Sequence, residues 1–153
     1  RLAPFGLSVI DDGPHVGEGP LAGVLAGLRW ADAGGADGIA TVAVDTPFFP
    51  QDLVRSLVAG GGWGAGGPRV PVLAESGQRL HPTFALWPVG AAGFLSDALA
   101  RGERRVRSVA QGLGGRTAPF PTDPDPFFNI NTPEDLAQAE RRLAANGGDE
   151  SFS

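Results

Sequence analysis

The chain reads as an α/β protein, with a mostly parallel sheet and helices on both faces. Three observations predict this. Short runs rich in strand-forming residues alternate with segments of helical spacing. The run Ile39-Ala40-Thr41-Val42-Ala43-Val44 stops abruptly at Asp45-Thr46-Pro47, as a buried strand does at its carboxyl end. At 153 residues, 42% of them hydrophobic, the chain has the size of one domain and the apolar content to bury a core.

The elements follow in order. Gly6 to Ile10 is expected as a short strand running into the turn sequence Asp11-Asp12-Gly13-Pro14. Leu21, Val24, Leu25 and Leu28 follow helical spacing, so Pro20 opens a helix that ends near Gly34-Gly35. The Ile39 to Val44 strand comes next, then a helix from Gln51 to Ala59 with Leu53, Val54 and Leu57 on its inner face. Gly60 to Gly67 is nearly all glycine and is expected as a loop. Arg69 to Glu75 and Thr83 to Trp87 read as a hairpin around Ser76-Gly77. Helices fit Ala91 to Ala100 and Arg104 to Ala110, a strand fits Arg116 to Phe120, and a terminal helix fits Pro133 to Ala145. That last helix has Thr132 as N-cap, Pro133 at its first position and Glu134 and Asp135 in its first turn.

Composition narrows the function. A net charge of -5 argues against nucleic acid and anionic membranes as partners, since both call for a basic surface. No apolar stretch approaches the roughly 20 residues that cross a bilayer, and no signal-peptide pattern is present. With no Cys there are no disulfides, thiolate metal sites or Cys nucleophile, which agrees with a cytoplasmic setting. All 12 basic residues are Arg, so no Lys here holds a phosphate.

Asp45 is the first candidate for chemistry, because ligands of open α/β sheets bind beyond the carboxyl ends of the strands. Its competing reading is a cap for the following helix. Asn129 and Asn131 alternate with Phe128 and Ile130, so on a strand both amides share one face; the alternative is that they stabilise a turn. His81 has no assignable acid partner and is not supported as a general base, and His15 in the Asp-rich turn has a weaker case.

Gly19-Pro20-Leu21-Ala22-Gly23, Asp45-Thr46-Pro47, His81-Pro82-Thr83, Gly102-Glu103-Arg104-Arg105-Val106 and Asn129-Ile130-Asn131-Thr132-Pro133-Glu134 occur together in this order. In these motifs and their spacing the chain resembles the molybdenum cofactor guanylyltransferases over nearly its whole length after Leu7. The resemblance implies a three-layer α/β/α, Rossmann-like fold of the nucleotide-diphospho-sugar-transferase type, with residues 1–153 forming one nucleotidyltransferase domain. It implies transfer of GMP from GTP to molybdopterin with release of pyrophosphate. In that comparison Asp45 matches a Mg²⁺ ligand, and Asp12 with Gly19, Pro20, Leu21, Ala22 and Gly23 matches the guanosine site. Asn129 and Asn131 match a pair near the pterin, and Arg104 and Arg105 match a basic pair facing the molybdopterin phosphate. Molybdoenzyme chaperones are the partners expected in the alternative of a non-catalytic docking module.

The family also has an N-terminal strand and a Leu-Ala-Gly-Gly loop, followed by Arg-Met-Gly and Asp-Lys, that cradles the triphosphate through bare backbone N–H groups and a Lys charge. This sequence does not contain that segment. The expectation is therefore an N-terminally truncated sheet, inactive as a fragment, with an exposed strand edge that favours self-association. Three alternatives stand beside the guanylyltransferase reading: a cytidylyltransferase of the same fold, a sugar-nucleotidyltransferase, and a non-catalytic binding or docking module.

Overall fold

A computed structural model describes residues 6–67 and 69–146, so the expectation of one domain over residues 1–153 reaches beyond them at both ends. Four strands form one sheet in the order β1-β3-β2-β4: β1 (Gly38–Thr41), β2 (Val72–Ser76), β3 (Arg79–Pro88) and β4 (Arg116–Phe120). β2 and β3 form the expected antiparallel hairpin, β2 pairs parallel with β4, and β1 pairs antiparallel with β3. The sheet is thus mixed: β1, β2 and β4 run one way and β3 runs against them. Their carboxyl ends, near Thr41, Ser76 and Phe120, lie at the same end as the start of β3.

Side chains alternate across the strands and divide the core into two layers. Leu73, Ala85 and Trp87 face α1 (Pro20–Ala33), α3 (Ala92–Ala100) and α4 (Val106–Gly112), which contribute Leu21, Leu25, Leu28, Leu95, Leu99 and Val109. Val72, Ala74, Phe84 and Leu86 face the other way, onto Leu53 and Leu57 of α2 (Leu53–Gly61). Helices therefore cover both faces, in the three layers the sequence implied. A terminal helix, α5 (Pro133–Asn146), begins where Thr132 and Pro133 predict, and buries Ala139. Among the described residues no helix is long and apolar enough to cross a membrane.

Two expected strands differ. Gly6 to Ile10 is irregular and its Leu7, Val9 and Ile10 are exposed, because no neighbouring strand satisfies its backbone among the described residues. The Ile39 strand ends at Thr41, short of Val44: Val42–Val44 leave the β3 ladder, and Val44 is fully exposed. The glycine run also differs. Gly60 and Gly61 continue α2, since a Cβ on Gly60 would stand 2.7 Å from Ala118 Cβ, and one on Gly61 would collide with Val72. These glycines let the helix lie directly on β2 and β4. Gly62 then closes α2 with φ at 69°, a left-handed conformation that favours glycine.

The packing makes a contrast that unfolding experiments can read. Leu57→Ala removes a fully buried side chain between α2 and the sheet and should cost about 2–5 kcal/mol. Val54→Ala, on the same helix but half-exposed, should change stability by no more than about 0.5 kcal/mol in the same denaturant titration.

Candidate functional site

Several of the motifs meet at the carboxyl end of β1. Gly19 takes φ 86° and ψ −170°, a backbone shape that favours glycine, and delivers the chain into Pro20 at the first turn of α1. Leu21 and Ala22 are buried in the core, so their part is to seat this corner, while Gly19, Pro20 and Gly23 are exposed. A Cβ on Gly23 would lie 3.7 Å from Asp12 Oδ1, which places the half-buried Asp12 over the opening turn of α1. Beside them is a cleft of about 200 Å³, lined by Pro20, Gly23, Val24, Thr41, Val42, Pro82, Thr83 and Val106. Three of the sequence motifs, from α1, β3 and the start of α4, therefore border one cavity.

Asp45 lies beyond the cleft-lining Thr41 and Val42, on a loop tied to the segment that precedes α5. Ile130 N–H donates to the Asp45 backbone carbonyl at 2.8 Å, and Thr46 Oγ1 donates to Asn129 Oδ1 at 2.8 Å. Asp45 itself is half-exposed and Asn129 is exposed, whereas Thr46 between them is buried. Residues 127–132 form a loop, not the strand on which Asn129 and Asn131 would share a face. Asn131 is engaged through its backbone: its N–H and that of Thr132 both donate to Asp135 Oδ2 at 3.0 Å, and Asp135 N–H donates to Thr132 Oγ1 at 3.1 Å. This reciprocal cap starts α5 and holds the Asp135 carboxyl below the usual range, first through the Asn131 N–H.

The basic pair divides. Arg104 Nη1 donates to the backbone carbonyls of Leu99 and Glu103, both at 2.9 Å, and Nη2 lies 3.3 Å from Glu18 Oε2. Glu18 Oε2 also meets His15 Nδ1 at 2.8 Å, so the chain before Gly19 is pinned to the end of α3. These are partly exposed pairs of modest strength. Glu103 Oε1 accepts the backbone N–H of Arg104 and Arg105, which lowers its carboxyl pKa, and Arg105 is exposed.

Among the described residues no group of three or more acidic, His or Cys side chains could hold a metal. Mg²⁺ commonly uses one or two carboxylates together with substrate phosphates, keeping several waters. A single half-exposed carboxylate at Asp45 fits an ion that arrives with a nucleotide, and does not fit a resident structural ion.

Sequence reasoning missed Thr46, whose signal is only a hydroxyl between an acid and a proline. It also left His81 open. His81 is buried, with Nε2 2.7 Å from Ser76 Oγ and its ring stacked on Phe127 at 4.2 Å between centroids. Burial, then Arg79, push its pKa below 6.5, against a smaller opposing pull from Asp125. The imidazole supports the Phe127 loop and is not among the residues that line the cleft.

The family model of the MobA-like NTP transferase domain matches residues 1–117. The chain is 50% identical over 143 residues to a molybdenum cofactor guanylyltransferase of Cereibacter sphaeroides, covering 94% of this chain and 69% of that protein. It is 46% identical over 145 residues to one of Acidiphilium cryptum, covering 92% and 67%. Among solved structures it resembles molybdopterin-guanine dinucleotide biosynthesis protein A from Archaeoglobus fulgidus with TM-score 0.64 and 26% identity, over 83% of this chain and 64% of that one. The chain spans about two thirds of the length of each of these relatives.

The His81 environment sets a pH dependence. With its folded pKa depressed, the unfolded chain binds more protons below pH 6.5, so this contribution is intact above 6.5 and is lost as pH falls below it. In urea titrations from about pH 8 to about pH 5, His81→Gln should flatten the decline seen in the parent protein. Parallel curves would leave the decline to other groups.

Proposed function

The chain belongs to the MobA-like NTP transferase family, and from that membership we propose that it transfers GMP from GTP to molybdopterin, releasing pyrophosphate. The observation that carries this reading is the meeting of the Asp45-Thr46 loop with Asn129 at the carboxyl end of the sheet, where Thr46 and Asn129 are hydrogen-bonded across 83 residues of sequence, on the chain that continues from the cleft-lining Thr41 and Val42. A transferase needs its nucleotide and acceptor groups in one place, and proximity supplies much of the rate in reactions that need little acid-base help.

In this reading Asp12 and the corner at Gly19, Pro20 and Gly23 receive the guanosine, with Leu21 and Ala22 seating the corner from below. Asn129 and Asn131 meet the pterin acceptor. Arg105 meets the acceptor phosphate, and Arg104 positions the motif through Glu18 and the end of α3. An oxygen of the acceptor phosphate attacks the α-phosphorus of GTP; the bond from that phosphorus to the bridging oxygen breaks, and pyrophosphate leaves with the electron pair. Mg²⁺, when bound with the nucleotide, supplies positive charge against the charge that builds on the leaving group. Asp45 holds its place because Ile130 fixes its backbone carbonyl, leaving the carboxylate half-exposed to take that ion.

In the full-length protein, Asp45→Asn should lower Mg²⁺-dependent transfer by roughly 10²-fold or more while leaving the thermal midpoint near that of the parent, because several kcal/mol of charge stabilisation is lost. Turnover within about threefold of the parent would remove Asp45 from the metal role. Replacing Asn129 and Asn131 together by Ala should weaken molybdopterin use by roughly tenfold or more and spare GTP binding, because polar groups of the acceptor then go unmet. Equal losses for both substrates would make the two amides structural.

A further inference from the structure

We propose that Thr46 is a positioning residue that holds the Asn129 amide with its Nδ2 donors turned toward the acceptor, so that this subsite selects a hydrogen-bond-accepting oxygen on the pterin substrate. The inference rests on the transferase reading and adds to it the polarity of the contact.

Thr46 is 1% exposed, so its hydroxyl must find a partner inside the protein. It has one proton to give and two acceptors in reach: Asn129 Oδ1 at 2.8 Å and Asp45 Oδ1 at 3.3 Å. The shorter contact falls in the usual range for an O–H···O hydrogen bond, about 2.5–3.0 Å, and the longer one lies outside it. The proton therefore goes to Asn129, and the Asp45 carboxylate keeps its charge for other partners. The reverse arrangement, with the hydroxyl donating to Asp45 and accepting from Nδ2, would use the poorer of the two distances.

The backbone leaves little else to move. Phe127 is buried against Phe84, Phe120 and His81, and Ile130 N–H is held by the Asp45 carbonyl, so Asn129 is fixed on both sides. Only the side-chain torsions of Asn129 remain open, and Thr46 settles them. An amide whose oxygen is turned inward to Thr46 presents its two N–H donors outward, which match an oxygen of the acceptor.

The test uses Thr46→Val, Thr46→Ser and Asn129→Asp in the full-length protein, with equilibrium binding of molybdopterin, KM and kcat for both substrates, and the thermal midpoint. Thr46→Val keeps the shape and deletes the hydroxyl. It should raise Kd and KM for molybdopterin roughly tenfold, with KM for GTP and kcat changed by less than about threefold, and Thr46→Ser should restore the parent values. Asn129→Asp puts a carboxylate oxygen where Nδ2 stands and should weaken molybdopterin binding more than Asn129→Ala does. The inference is overturned if Thr46→Val binds molybdopterin like the parent, if both substrates suffer equally, or if Asn129→Asp binds it as well as the parent. Asn129 is exposed, so Asn129→Asp decides the matter even where Thr46→Val does not fold. A parent protein that transfers GMP and a Thr46→Val that binds normally would reject the latch and keep the function; a parent that neither binds molybdopterin nor transfers GMP would reject both.

Discussion

The site depends on two hydrogen bonds that join segments with no strand ladder between them. Asp45 and Thr46 lie on one loop, Asn129 and Ile130 on another, and a side-chain and a backbone hydrogen bond, both 2.8 Å, clasp the two. Closing so long a loop has an entropic cost that grows only slowly with length, so a small set of contacts can hold it once the core is formed. The clasp has to be good because Thr46 is buried: an unpaired hydroxyl there would cost more than the bond itself contributes.

That clasp works only because the second loop is anchored from beneath. Phe127 sits 4.8 Å from the Phe84 ring and 5.4 Å from the Phe120 ring between centroids, while the buried imidazole of His81 stacks on it. Phe84 and His81 come from β3, whose direction opposes that of the other three strands, so the start of that strand arrives at the end of the sheet where the others finish. The antiparallel strand is thus what places Pro82 and Thr83 beside the cleft, and His81 beneath the Phe127 loop. A wholly parallel sheet would have sent them to the opposite end.

What was legible in the sequence follows from how local each signal is. Pro20 opening α1, the Thr132 cap before α5, the Ser76-Gly77 hairpin and the bounds of β4 all stand where short-range chemistry puts them. The Ile39 to Val44 run did not become a full strand, since hydrophobicity says that a segment is suited to burial and nothing of whether a neighbour exists to cover it. Gly60 and Gly61 read as loop because glycine usually punctuates; their reason for being in α2 is Ala118 and Val72, residues distant in sequence. The motif residues were legible as a set, while the division of labour within them was not. Leu21 and Ala22 turned out to be core, Arg104 to be held by carbonyls, and the link from Thr46 to Asn129 has no local trace at all.

Reliance on arginine as the sole basic side chain shapes the structure as well. A guanidinium presents several donors in one plane and stays charged, so it can serve backbone carbonyls and a carboxylate at once, as Arg104 does with Leu99, Glu103 and Glu18. Arg116 likewise donates to the Gly61 carbonyl at 3.0 Å, and Arg142 donates to the Asp125 carbonyl while lying over the Phe128 ring at 4.5 Å. Arg69 pairs with Asp37 and lies over Trp63. These side chains close helix ends and loops, a task that a lysine, with a compact and strongly hydrated charge, performs less well. Counting arginines therefore overstates the charge available for an anionic ligand. Arg105 differs from them, because it gives Glu103 its backbone N–H and remains exposed at the start of α4, whose Val106 lines the cleft.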